Sequence, residues 1–175
     1  MKKIKAMLML SAVLAMVMSL SIAPANANPG VGQVAFECTA SLPLFPAASG
    51  ANGACQGTAT GFVVTTAGPK TSIQGTFRAA FSYNEPAATC PATGTAAGNF
   101  WINEGTADQI AGTFTWTRAG ATAVITLANI NGAGLTSASG EATAAFESPQ
   151  AVAACSNPQP ITATVAGEAT VHDTN

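Results

Sequence analysis

From about residue 34 onward, apolar and polar residues alternate with a period of two, the spacing of half-buried β-strands. Val34, Phe36, Cys38 and Ala40 share one face of a first strand, with Ala35, Glu37 and Thr39 on the other. Ser41–Gly53 reads as a long loop, marked by Pro43, Pro46 and the turn pair Asn52-Gly53. A second strand is expected over about Cys55–Thr66, with Ala67-Gly68-Pro69-Lys70 turning the chain. The third is the clearest: Ile73, Gly75, Phe77, Ala79, Phe81 and Tyr83 lie on one face, and Ser72, Gln74, Thr76, Arg78, Ala80 and Ser82 on the other.

The alternation continues. A fourth strand over Thr93–Asn103 faces Ala96, Gly98, Phe100 and Ile102 inward and Trp101 outward. A fifth has Ile110, Gly112, Phe114 and Trp116 inward, and Arg118-Ala119-Gly120 starts a tight turn. The sixth, Thr122–Ile130, is nearly all apolar and reads as covered on both faces; Asn131-Gly132-Ala133-Gly134 is a hairpin turn. The seventh places Ala138, Gly140, Ala142, Ala144 and Phe146 on one face. After a loop at Ser148–Pro160, the eighth places Ile161, Ala163, Val165, Gly167, Ala169 and Val171 inward. No stretch carries a helical period. The fold class is therefore all-β: a single-domain antiparallel meander of about eight strands, closed as a barrel or folded as a sandwich. Inward glycines (Gly75, Gly98, Gly112, Gly140, Gly167) are expected to make room for aromatic rings on neighbouring strands.

A loose repeat runs through this pattern. Ala79–Gly98, Ala144–Gly167 and, more weakly, Ala35–Gly61 each carry an Ala-Phe strand end, a proline-bearing loop, and a cysteine before a small-residue strand. In a meander, the loops 41–53, 84–91 and 148–160 share one rim with the turn at 119–121, and the short turns at 67–70, 104–107 and 131–134 share the other. The four cysteines suggest two disulfides in an oxidising compartment. Cys38–Cys55 closes a loop within its own hairpin, and Cys90–Cys155 ties two equivalent repeat loops across the mouth; this pairing is favoured over the two alternatives.

Composition adds a destination. Lys2, Lys3 and Lys5 precede the apolar run Ala6–Ile22 and the small-x-small site Ala25-Asn26-Ala27. This reads as a signal peptide over residues 1–27, cleaved after Ala27, leaving residues 28–175 as one secreted domain without a transmembrane segment. Cleavage leaves three basic residues against eight acidic ones, a net charge of −5, which argues against nucleic acid as a partner. The Ala/Gly/Thr-rich composition with four cysteines resembles that of small secreted bacterial β-proteins such as the neocarzinostatin apoproteins. The resemblance implies a secreted β-domain and assigns no residue a role. Avidin-like and lipocalin-like barrels share the expected strand count but not their signature motifs.

Candidate chemistry is sparse. His172 is the single histidine, expected at a frayed, solvated end. Glu37, Glu141, Glu147 and Glu168 fall on outward faces as solvated acids. Glu104 and Asp108 flank a short turn without a calcium-loop pattern. The outward row Thr113, Thr115, Thr117 suits an ice-binding surface but is equally an ordinary polar strand face. The long-loop rim carries the best candidates: Leu44 and Phe45 in an apolar cluster with Leu42, and Tyr83, Asn84 and Glu85 beside it. Such a cluster binds a ligand or plugs the barrel, and the plug is the simpler role. No residue is assigned to catalysis, and no cofactor or metal is expected. The leading expectation is a non-catalytic binding module for a small molecule or surface component. The alternatives are a structural or cell-surface protein working through its Thr/Ser faces, and a hydrolase using a rim acid.

Overall fold

The computed structural model describes residues 31–65 and 70–173. The leader and most of the turn expected at 67–70 lie outside the described residues. Eight strands follow one another: β1 (Val31–Phe45), β2 (Ala51–Val63), β3 (Thr71–Asn84), β4 (Thr93–Ile102), β5 (Ile110–Ala119), β6 (Thr122–Gly132), β7 (Leu135–Glu147) and β8 (Gln159–His172). Each is antiparallel to its sequence neighbours, and β8 pairs back onto β1, closing the barrel in the order β1 to β8. Closure decides between the barrel and the sandwich, and it leaves no long exposed edge.

The inward faces match the alternation. Val34, Cys38, Ala40 and Leu42 of β1 are buried, as are Ile73, Ala79 and Tyr83 of β3 and Ile161, Ala163, Val165, Ala169 and Val171 of β8. The outward faces carry Thr, Ser, Gln and Glu, an apolar-in, polar-out order opposite to that of a lipid-embedded barrel. Among the described residues no helix is long and apolar enough to cross a membrane.

Four expectations need correction. The long loop at 41–53 is mostly strand: β1 runs to Phe45 and β2 begins at Ala51. Its period continues through Leu42, which faces Ile161, and a bulge against β8 between Leu42 and Phe45 absorbs Pro43. A proline lacks the N–H that a ladder needs, so a bulge is where a strand tolerates it. The extra residue shifts the phase and turns Phe45 into the interior. Second, β6 is covered on one face only. Ala123, Ile125 and Ile130 are buried, but Val124 is 59% exposed, because nothing packs outside a single closed sheet. Third, the last loop holds a short helix, α1 (Ala151–Ser156). Fourth, His172 is exposed but not frayed; it is a strand residue registered with both Val31 and Ser139.

The inward glycines serve the neighbours in different ways. At Gly112 a Cβ would lie 2.7 Å from the Phe100 ring, so the glycine accommodates an aromatic side chain on the adjacent strand. At Gly75 the space is taken by the Asn103 carboxamide instead. Asn103 has a left-handed backbone (φ 54). Its N–H donates to the Thr76 carbonyl (2.9 Å), and its Oδ1 accepts from the Thr76 N–H (3.2 Å).

Both disulfides have the expected pairing, Cys38–Cys55 and Cys90–Cys155. Their settings differ. Cys38 registers with Gly57 and Cys55 with Ala40, so the first bond runs diagonally between β1 and β2 on the inner wall, not across a rim loop. The second joins the β3–β4 loop to α1 above the barrel mouth.

Candidate functional site

The interior of the barrel is not filled. A cavity of about 90 Å³ runs between the strands, and every side chain that lines it is apolar. An apolar cavity of roughly 150 Å³ admits benzene, so this space is a little over half a one-ring site and takes a ring only as its side chains yield. Rings dominate the wall. Phe36 stacks on Phe77 (5.4 Å between centroids), Phe77 on Phe100 (6.5 Å), and Trp116 meets Phe146 edge-on (5.7 Å). These rings come from five strands, each placed inward by the same two-residue period. At the short-turn end Val63, Ile130 and Leu135 are buried and form part of the cavity wall.

The long-loop end is closed by the residues that the sequence singles out, in two groups. Phe45 is 1% exposed and plugs the mouth, whereas its neighbour Leu44 is 42% exposed on the outside. Adjacent strand residues point to opposite faces in any case; the bulge at Pro43 decides that Phe45, not Leu44, is the inward one. Tyr83 is buried at the end of β3 and holds the plug in place. Its hydroxyl donates to the Leu44 carbonyl and accepts from the Leu44 N–H at 3.2 Å. Burial pushes the Tyr83 phenol above its ordinary range, partly offset by that backbone bond. Asn84 is outside, where its Nδ2 donates to the Ala48 carbonyl (3.1 Å). The mouth therefore brings Phe45, Tyr83 and Glu85 together inside, and leaves Leu44 and Asn84 at the surface.

Glu85 is buried, with 3% exposure, and so is its partner Arg118. Arg118 Nη2 donates to Glu85 Oε1, and Nη1 donates to the carbonyls of Pro91 and Gly120, the latter at 2.6 Å. The guanidinium carbon also lies 4.9 Å from the centre of the Phe146 ring. Glu85 is pinned through its backbone as well: its N–H donates to the Ala47 carbonyl (3.2 Å), and its carbonyl accepts from the Ala47 N–H (3.1 Å). Glu85 thus ties three connections, β1–β2 through its backbone and β3–β4 to β5–β6 through its ion pair with Arg118. Burial pushes the Glu85 carboxyl above the usual carboxylate range, and the hydrogen bond and charge of Arg118 oppose that shift.

Sequence reasoning placed Arg118 at the start of a turn. The signal for its true position was present: counting in twos from Ile110 through Phe114 and Trp116 puts Arg118 on the inner face. Beside the pair lies a second, water-sized space of about 10 Å³, bordered by Tyr83, Glu85 and Arg118. It shares Leu42, Phe81, Trp116 and Phe146 with the main cavity as a common wall.

The outward acids offer no second centre. Glu37, Glu141, Glu147 and Glu168 are exposed. Glu104 is engaged by Arg78 at 2.7 Å, and no cluster of three potential metal ligands occurs among the described residues. No protein-family model, curated protein or solved structure matches this chain.

Proposed function

We propose that this protein is a secreted binding module that carries a small apolar molecule inside its barrel. The observation that carries the reading is the 90 Å³ ring-lined cavity closed by a polar mouth. A well-packed interior fills such space, because each unfilled void forfeits dispersion contacts. An apolar void of this kind stays dry and is ready to accept an apolar guest. The rim supports the reading by its construction: Phe45 and Tyr83 shut the mouth, so the guest is held within the barrel and not on the loops. Two disulfides suit an oxidising, extracellular setting for such a carrier. Glu85 supports binding over hydrolysis, since its carboxylate is neutralised by Arg118 and shares the mouth with no second carboxylate among the described residues.

Toluene tests the reading. Titration calorimetry should show saturable binding to the wild-type protein, accompanied by a change in Trp116 fluorescence. Ala142 lines the cavity from β7. Ala142→Phe should fill the space, leave the thermal midpoint unchanged or higher, and abolish binding. No toluene binding by the folded wild type, or equal binding by a folded Ala142→Phe, would sink the reading.

A further inference from the structure

The two spaces at the mouth differ in chemistry, and the difference specifies a ligand. The main cavity offers aromatic faces and edges and no polar atom. The smaller space offers a buried carboxylate. Arg118 uses Glu85 Oε1, which leaves Oε2 as an acceptor. Oε2 lies over Gly94, where a Cβ would collide with it, so the carboxylate position depends on that glycine. The other buried polar side chains there, Arg118 and Tyr83, are committed. The guanidinium serves Glu85 and two backbone carbonyls, and the Tyr83 hydroxyl both donates to and accepts from Leu44.

We propose that the barrel takes a phenol-sized aromatic molecule bearing one uncharged hydroxyl, with its ring in the cavity and its hydroxyl donating to Glu85 Oε2. This rests on the interior-binding reading above. Ring recognition follows from the wall: offset and edge-on contacts among aromatics add to the burial of apolar area. The volumes set the terms: the main cavity, at 90 Å³ against the roughly 150 Å³ that admits benzene, accepts one ring and no more as its walls yield, and the slot has room for about one water or one hydroxyl. The head group is a donor because the uncommitted polar atom on a buried residue here is a carboxylate oxygen; Asn84 and Thr95, which also border the space, are exposed residues. The head group is neutral because an anion would face that buried carboxylate with no free cation to receive it. Entry of the hydroxyl requires the shared wall of Leu42, Phe81, Trp116 and Phe146 to part by side-chain rotation at one point. That wall makes the ligand's polar end point to the long-loop rim and its apolar end to Val63 and Leu135.

Toluene and phenol are matched in size and isolate the hydroxyl, and benzoate adds a charge on a larger head group. Toluene and phenol should both bind the oxidised wild-type protein, and benzoate should not. In Glu85→Gln the neutral amide is a weaker acceptor than the carboxylate. Phenol should lose about tenfold in affinity there, while toluene changes less than twofold. In the wild-type complex, nuclear Overhauser contacts should place the phenol oxygen end near Tyr83 and Trp116, a readout that holds whether or not the Gln variant folds. Absence of toluene binding overturns the interior-binding reading itself. Toluene binding with phenol inverted toward Leu135, with benzoate bound as well as phenol, or with equal losses for toluene and phenol in Glu85→Gln, overturns the hydroxyl assignment alone.

Discussion

The two ends of the barrel are closed by different physics. At the short-turn end, Val63, Ile130 and Leu135 are buried at the cavity wall, and the two described connections, β4–β5 and β6–β7, carry left-handed residues at Asn103, Gly105, Gly132, Ala133 and Gly134. Apolar burial does the sealing there. At the long-loop end, a buried ion pair, a disulfide and reciprocal backbone hydrogen bonds hold four connections together over one aromatic plug. A closure made of directional bonds has one arrangement that satisfies every partner. A closure made of apolar contacts tolerates repacking. The end that carries the polar atoms is therefore the end that sets ligand orientation, and its parts fail singly when one partner is removed.

The ion pair gives the largest expected contrast between the ends. Arg118→Leu leaves the Glu85 carboxylate buried without a counter-charge and strips donors from the Pro91 and Gly120 carbonyls. Losing one member of a buried pair costs roughly 3–5 kcal/mol. Urea unfolding should show that loss as a lower midpoint at an unchanged slope. Replacing both partners, in Glu85→Met with Arg118→Leu, should recover much of it, because no charge is then left uncompensated. A single variant within 1 kcal/mol of wild type would mean that the mouth does not depend on the pair.

Most of this architecture was legible before the structure, and the places where it was not have a common cause. Period two fixes which side chains point inward, so β3, β4, β7 and β8 could be read residue by residue, and the meander then fixes which loops share a rim. Phase shifts are what the pattern cannot report. The bulge at Pro43 hides the end of β1 and gives the inward position to Phe45 in place of Leu44. The register irregularities in β6 and the left-handed Asn129 and Ser137 have no sequence cue of comparable strength. The six-residue α1 is under two turns long, too short to display a helical period. Glu85 and Arg118 lie 33 residues apart, and only the rim they share makes them partners. The cavity is least legible of all, because it is a deficit summed over side chains from all eight strands.

The disulfides sharpen the comparison at a smaller scale. Cys38–Cys55 spans 17 residues between strands already paired, whereas Cys90–Cys155 spans 65 and joins two loops. By the loop-entropy dependence on length, the longer closure contributes roughly 1 kcal/mol more. Chemical denaturation of Cys90→Ala/Cys155→Ala and Cys38→Ala/Cys55→Ala should rank them in that order. The reverse ranking would assign the inner-wall bond a packing role larger than the entropy difference.

Acidity probes the mouth most gently. The folded-state pKa of Glu85 is raised, chiefly by burial, above its value of about 4.5 in the unfolded chain. In the window between those two values the folded protein binds the proton more than the unfolded chain does. Stability from this group is therefore fully present below the unfolded value and is lost as the pH rises through the raised one. Lowering the pH from 7 toward 4.5 should accordingly favour wild type relative to Glu85→Gln, whose amide does not titrate. Thermal unfolding of the two proteins across that range reads the difference directly. A wild type that instead loses ground to the Gln variant on acidification would mean that attraction to Arg118 outweighs the cost of desolvating the carboxylate. The mouth would then be held by its charge pair in spite of burial, and the carboxylate would be ionised throughout the range in which a hydroxyl could donate to it.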